Sequence, residues 1–521
     1  MTADQTLADS IVAIDVLLEL DEAMTQQAIA LNARLRADYP LGYPLGTEQV
    51  PHVSLVQLYV RASDLPQVRV AVADALSNGN SLVGRQLTAT GIRATAMGGG
   101  LDIVTLDVEH TPELLQLHER VVQAVTPFAA HGGTSAAFST TTSLPAVASN
   151  SWIVGYVETF IPKQSGEHYY AHVTLGVARE AFCGQIAAEP FAPVPFTVAG
   201  IGVRHLGEYG TGQQEMGSFP LPSWNDGEPR QRILSFVRRV TDPASPDYVA
   251  PAFRVATFDN DGTLWCERPV YIQFEFALDR VKALAPQHPE WQTTEPFRAV
   301  LQNDLQAVAA SGLKGLMDLA MATHAGTTTA EFDGIVREWF ANAQDPHFKQ
   351  PYTALAFQPM VELLAYLRAN GFKTYIVSGG GIEFVRNVSE QLYGIPPEQV
   401  IGSSIKAKYE PRDGEPVLVR LPELDFYDDK DGKPIAIQKF IGRRPIAAFG
   451  NSDGDQQMLE WTAAGPGSRL MLLVDHTDAA REYDYRVSPM GRLETALVEA
   501  RKRDWLVVDI KADWKRVFAF E

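Results

Sequence analysis

Apolar positions along the chain recur with two periods, and their alternation divides it into strand and helix. Residues 11–18 (IVAIDVLL) form a short apolar run that fits a buried strand. Asp21, a helix-capping residue type, precedes Met24, Ala28, Leu31 and Leu35 at helical spacing. A second strand is expected over 53–60. It is followed by a helix opened by Asp64, with Val68, Val72 and Leu76 inward. The theme then repeats. LDIVTLDV reads as a strand, Thr111-Pro112 opens a helix with Leu114, Leu117, Val121 and Val125 inward, and HVTLGVA is a strand. The repetition is a weak internal duplication of strand–helix–strand units.

Between Leu206 and Trp224 the period is lost. LGEYGTGQQEMGSFPLPSW is rich in Gly, Pro and polar residues and reads as a connection, placing a domain boundary near Pro220. A short helix is expected over Arg230 to Val240, before a break at DPASPDYVAP. Beyond it, FRVATF (253–258), FKTYIV (372–377), RPIAAF (444–449) and RLMLLV (469–474) are each apolar enough for burial on both faces. With helices between them, these strands predict a parallel, doubly wound sheet. The stretch from Val270 through Ala341 reads as helical throughout. Hanging from one strand end, it is expected to form a lid.

With 521 residues the chain exceeds one ordinary core, so domains of about 1–219 and 220–521 are expected. A formal net charge of −19 argues against binding long nucleic acid, which needs a basic surface, though a short oligonucleotide in a local pocket remains compatible. Two cysteines, Cys183 and Cys266, allow no disulfide framework beyond one bridge. The first twenty residues have no basic lead-in and are interrupted by Asp4, Asp9 and Asp15. No apolar run reaches membrane-spanning length, so no membrane partner is expected and the expected location is the cytoplasm.

Ligands of parallel α/β sheets bind at the C-terminal strand ends, and in the second region chemistry-bearing residues collect there. The first strand runs into Asp259-Asn260-Asp261-Gly262-Thr263-Leu264. Its two carboxylates are spaced so that both reach one cation while one attacks phosphorus. FKTYIV ends in Ser378 and three glycines from Gly379, a hydroxyl plus backbone N–H groups at a helix start. Lys433, in DGKP, offers a cation. RPIAAF runs into Gly450-Asn451-Ser452-Asp453-Gly454-Asp455, a third set of oxygen ligands. Each piece alone is weak; four in order, each at a strand end, are specific.

Together these pieces resemble the four signature motifs of the haloacid dehalogenase (HAD) superfamily over residues 221–521. The resemblance implies a HAD core and an aspartyl-phosphate on Asp259, with Asp261 as general acid/base. That second carboxylate favours phosphatase over dehalogenase. It further implies that Thr263, Ser378, Gly379 and Lys433 hold phosphate, and that Mg²⁺ sits on Asp259, Asp261, Asn451 and Asp455. Asn451 stands where many such phosphatases carry Asp. An amide oxygen still ligates Mg²⁺, and either Asp455 or Asp453 supplies the missing charge. Lys439 is the rival of Lys433, which is preferred because it precedes the helix. His476 is read as structural or superficial, not catalytic. The block 266–350 lies where this superfamily inserts helical C1-type caps, which favour small phosphate esters. Its aromatic run Tyr271, Phe274 and Phe276 is read as cap core.

In the first region two short matches share one form, Pro51-His52-Val53-Ser54-Leu55 and Ala171-His172-Val173-Thr174-Leu175. On a strand, residues i and i+2 share a face, so each imidazole sits beside its hydroxyl. Two imidazoles facing one cavity can act as base and acid on a phosphodiester, with the hydroxyls on its non-bridging oxygens and no metal. Residues 8–205 resemble the two-histidine (2H) phosphoesterases, in particular the 2′-5′ RNA ligase-like group. That implies a two-lobed α+β fold around a cleft and catalysis by His52 and His172, with Ser54 and Thr174 on the phosphate. The implied ligands are cyclic or 2′-linked nucleotides or short RNA ends, without cofactor.

The expectation is therefore a bifunctional phosphate-ester hydrolase, a metal-independent phosphodiesterase followed by a Mg²⁺-dependent phosphomonoesterase. The alternative is a HAD small-molecule phosphatase whose first domain only binds a nucleotide or partner.

Overall fold

The computed structural model describes residues 10–139, 151–412, 414–487 and 491–521. The start of the chain, read above for a leader as far as Asp9, lies outside them. The chain divides into two compact units, one of Met1–Ser223 with Glu362–Ala369 and Glu521, the other of Trp224–Val361 with Asn370–Phe520. Among the described residues no helix is long and apolar enough to cross a membrane.

Among the described residues the first unit holds seven strands, β1 (Ile11–Leu20), β2 (His52–Arg61), β3 (Gln86–Gly98), β4 (Leu101–Val108), β5 (His172–Arg179), β6 (Val194–Leu206) and β7 (Gly212–Ser218). Their order is β1-β2-β5-β4-β3-β6-β7, all antiparallel, and β1 also pairs with β6. Six strands thus close into a ring, and β7 is left as an edge strand on β6. Exchanging β1, β2 and β3 for β4, β5 and β6 maps the ring order onto itself, so the duplication read in the sequence is built into the topology. The halves are hydrogen-bonded into one ring instead of forming two separate lobes. Their narrowest joint is β2–β5, where Val53 faces Val173 alone.

The helices lie where the periodicity puts them. Asp21 accepts from Met24 N at 2.9 Å, opening helix Glu22–Asp38 with Met24, Ala28 and Leu35 buried. Thr111 caps Pro112–Val125 in the same way. Asp64 precedes Leu65–Ser77 without a capping bond, because a 3₁₀ turn occupies Ala62–Asp64. The segment read as a connection contains β7, GQQEMGS. An edge strand needs few apolar residues, so its alternation is too polar to register.

The second unit holds β8 (Val255–Phe258), β9 (Lys373–Gly381), β10 (Val400–Arg412), β11 (Glu415–Phe426), β12 (Ala447–Gly450), β13 (Leu470–Asp475) and β14 (Leu506–Asp509). The order is β11-β10-β9-β8-β12-β13-β14, parallel except for the β10–β11 hairpin. The central strands β8 and β12 are wholly buried, matching their unbroken apolar runs. Between β8 and β9 the block read above as a cap contains helices Ile272–Leu284, Gly312–His324 and Thr329–Asn342 with shorter helices among them, and its own core of Leu278, Val281, Trp291, Val300 and Leu319. The apolar pattern does not predict the hairpin. It reaches the cap, where Arg420 N donates to Thr327 O and Gly326 N to Arg420 O, each at 2.9 Å.

Candidate functional site

At the end of β8 the chain turns through Gly262, whose φ of 74° suits glycine; a Cβ there would stand 2.0 Å from Asn451 Nδ2. This turn presents Asp259 and Asp261. Lys433 Nζ donates to Asp259 Oδ1 and to Asp455 Oδ1, both at 2.6 Å, and to Val377 O at 2.9 Å. One buried ammonium therefore serves two carboxylates. Its own burial opposes its charge, but Asp259 and Asp455 outweigh that and hold its pKa above the usual lysine range. Burial pushes Asp259 well up, with repulsion from Asp455 adding to it and Lys433 opposing.

Asp261 accepts from the Trp265 indole N–H at 2.9 Å and from the Ser378 hydroxyl at 3.4 Å. Burial raises its pKa despite those bonds and the nearby Lys433, which favours a carboxyl able to give up a proton. Ser378 Oγ also accepts from Gly380 N at 3.0 Å. Gly379, Gly380 and Gly381, with Asp259, Asp261, Glu267, Lys433 and Ser452, border a cavity of about 340 Å³ that continues between cap and hairpin.

Several residues take other places than the sequence suggests. Thr263 is fully buried and donates to Asn451 Oδ1 at 3.1 Å, so its hydroxyl positions Asn451 and does not reach into the cavity. Asp455 Oδ2 accepts from Asn451 N and Ser452 N at 3.0 Å while Oδ1 holds Lys433, so both oxygens organise the loop and neither stands open to a metal. Asp453 Oδ1 accepts from Glu494 N and Ala496 N, capping the start of helix Thr495–Arg503. Lys433 lies in the first turn of helix Gly432–Ala436 and not before it, while Lys439 is exposed over the rings of Phe426 and Phe440.

His476 is buried and props the turn through Gly262. Its Nε2 donates to Gly262 O at 2.7 Å and Nδ1 to Glu482 Oε2 at 2.9 Å, and its ring stacks on Tyr485 at 3.9 Å. Two acceptors require both ring N–H groups. Although burial alone would lower its pKa, Glu482 and the Gly262 carbonyl raise it overall. Glu267 is a site residue that sequence reading missed, since no motif spacing marks it. It is buried beside the cavity, and burial lifts its pKa to about 7 against the pull of Arg268.

Among the described residues no three His, Cys, Asp or Glu side chains converge as a metal cage. The donor set nevertheless suits a hard cation that keeps several waters. Asp259 and Asp455, both buried, and Asp261, half-buried, set three carboxylates against one ammonium, and Asp259, Asp261 and the Asn451 amide oxygen are the donors for the cation.

In the first unit His52 and His172 open β2 and β5, on either side of the Val53–Val173 joint. Each Nδ1 is 2.8 Å from the carbonyl two residues earlier, Val50 O and Tyr170 O respectively. A carbonyl only accepts, so both rings carry the proton on Nδ1, and in the neutral form Nε2 keeps its lone pair. Burial lowers the pKa of His172, with His52 adding to the effect. His172, Thr174 and Ser54 border a cavity of about 530 Å³ together with Arg93, Trp152 and Tyr156. His52 does not border it; its Nε2 is 3.3 Å from Asp15 Oδ2. A bulge between Val16 and Leu17 leaves Leu55 unpaired and brings Ser54 and Gln57 to the same carboxylate, at 2.6 and 3.0 Å. Asp15, a polar interruption of β1 in the sequence, is thus the hub of the His52 side.

Residues 256–460 match the family described as haloacid dehalogenase-like hydrolase. No curated protein matches the chain. Among solved structures, a protein of unknown function from Bordetella pertussis Tohama I is 15% identical, with 50% of this chain and 99% of that one covered and a TM-score of 0.33. A phosphoserine phosphohydrolase-like protein from Francisella tularensis subsp. tularensis SCHU S4 is 17% identical over 50% of this chain and 97% of that one, TM-score 0.27. A probable phosphoserine phosphatase from Vibrio cholerae is 14% identical over 65% and 71%, TM-score 0.27.

Proposed function

We propose that the domain whose residues 256–460 match the haloacid dehalogenase-like hydrolase family hydrolyses phosphate monoesters through Asp259. The observation that carries the reading is the pairing of two unlike carboxylates at one cavity. Asp259 is held by the Lys433 ammonium, and Asp261 is held by an indole N–H with its pKa raised. Asp259 attacks phosphorus as the ester P–O bond breaks, and Asp261 passes its proton to the departing alcohol oxygen. Asp261 then takes a proton from the water that attacks the aspartyl-phosphate, returning both residues to their starting forms. Lys433 and Gly379, at the cavity wall, balance the charge of the phosphoryl oxygens. Asp259, Asp261 and Asn451 would hold Mg²⁺, which neutralises phosphate charge so that two anions can meet.

A second activity is favoured by the matched histidines of the first unit, a metal-independent phosphodiesterase acting on a cyclic or 2′-linked nucleotide or a short RNA end. What supports it is the identical Nδ1 anchoring of His52 and His172 at equivalent places in the repeat. The competing reading, a module that only binds such a ligand, is supported by the seclusion of His52 behind Asp15.

Chelation separates the two domains. With EDTA the phosphomonoesterase is lost, while hydrolysis of a 2′,3′-cyclic nucleotide persists. His172→Ala removes the diesterase and spares the phosphatase. Diesterase lost together with the phosphatase on chelation rules out the metal-free mechanism. A wild-type protein that binds but cleaves no diester establishes the binding module.

A further inference from the structure

We infer that the phosphatase site takes monoesters of apolar alcohols and discriminates against sugar and polyol phosphates; this rests on the phosphomonoesterase reading above. The cap turns one face of each of two helices to the cavity. Phe274 and Ala277 come from Ile272–Leu284, and Leu316, Met317, Ala320 and Met321 from Gly312–His324. Their spacings repeat at helical period, so the wall is a continuous apolar face and not a scatter of exposed residues. Methionine side chains adapt to varied apolar shapes.

The polar side chains interleaved with this wall are engaged with one another. Gln273 Oε1 accepts from Gly381 N at 2.7 Å, and its Nε2 donates to His324 Nε2 at 3.0 Å. His324 Nδ1 pairs with Thr323 Oγ1 at 2.8 Å, and burial, with Arg420 adding to it, lowers the His324 pKa to about 3, so the ring stays neutral. On the hairpin side Arg420 is tied to Glu383 at 3.0 Å, to His324 O at 2.7 Å and to the Phe332 ring at 3.9 Å. Ser403 donates to Gly379 O and accepts from Asp428 N. Ser404 donates to Asp425 at 3.2 Å, and the Tyr427 phenol donates to Asp429 at 3.3 Å. Tyr271 is the other phenol on the lining. Burial and the charges of Glu267 and Asp261 keep it protonated, which places its influence at the phosphate end. A sugar bound here would lose water from several hydroxyls and find few partners in exchange, whereas an alkyl chain would lose nothing.

The test is kcat/KM of the full chain with Mg²⁺ on methyl, butyl and hexyl phosphate, set against glycerol 1-phosphate and glucose 6-phosphate. Hexyl phosphate is expected to exceed methyl phosphate by roughly tenfold or more, with both polyol esters at or below the methyl level. Met317→Asn is expected to flatten the chain-length slope, lowering hexyl more than methyl phosphate. Polyol esters turned over as well as the alkyl series, or a slope that Met317→Asn leaves intact, would overturn the inference. Turnover of none of the five esters would sink the phosphomonoesterase reading itself.

Discussion

Asp259→Asn removes phosphomonoesterase activity, by roughly four orders of magnitude or more, and leaves the protein folded. The amide has no anionic oxygen with which to form the acyl-phosphate, while the other binding groups stay in place. Stability survives because Lys433 keeps Asp455 as an ion-pair partner at 2.6 Å, so the substitution strands no buried charge. It also takes away one of two carboxylates that crowd a single ammonium, easing the repulsion that raises Asp259. Steady-state rates on an aryl phosphate, with a thermal melt of the same sample, check both halves. An Asn variant with near wild-type turnover excludes Asp259 as nucleophile.

Lys433→Met has the opposite profile, losing activity and stability together. Lys433 is 2% exposed, and its removal leaves Asp259 and Asp455 buried without their shared cation. Breaking a buried pair by deleting one member costs about 3–5 kcal/mol, or a fall of roughly 10 °C in Tm for a unit of this size. The pH dependence follows from the directions of the shifts. In the wild type the Lys433 pKa is raised, so its contribution is complete below the ordinary lysine pKa and is lost only as pH rises through the higher folded value. In the variant the carboxylates escape part of the penalty by protonating, which is easier in acid. The Tm gap between wild type and variant therefore widens from about pH 5 to about pH 8. Melts across that range check it, and a gap that narrows with pH contradicts the ion-pair account.

What the sequence makes legible here is what depends on short spacing. Buried strands such as β8 and β12 announce themselves as unbroken apolar runs, and the residues just past them, Asp259, Asp261 and Asn451, are found because the chain must turn there. Position near the helix start favours Lys433 over Lys439, although the lysine lies inside the first turn. Polarity hides other elements. β7 is an edge strand of mostly polar residues, and the β10–β11 hairpin carries exposed Tyr409, Leu418 and Leu424, so neither shows a continuous apolar pattern to read. Tertiary partnerships are hidden more deeply. That Asp15 secludes His52, that His476 donates to the Gly262 carbonyl, and that Thr263 serves Asn451 all join residues far apart in sequence, where no periodicity links them.

The covalent step is tested most directly by finding the phosphoryl group. Asp261→Asn slows the second half of the reaction by removing the group that deprotonates water, so an aryl phosphate should leave its phosphate on the enzyme. After acid quenching and peptide mapping, the account predicts one phosphoryl group on the peptide containing Asp259. A phosphoryl group on any other side chain would contradict it, as would a first-turnover burst of product with no phosphate retained by the protein.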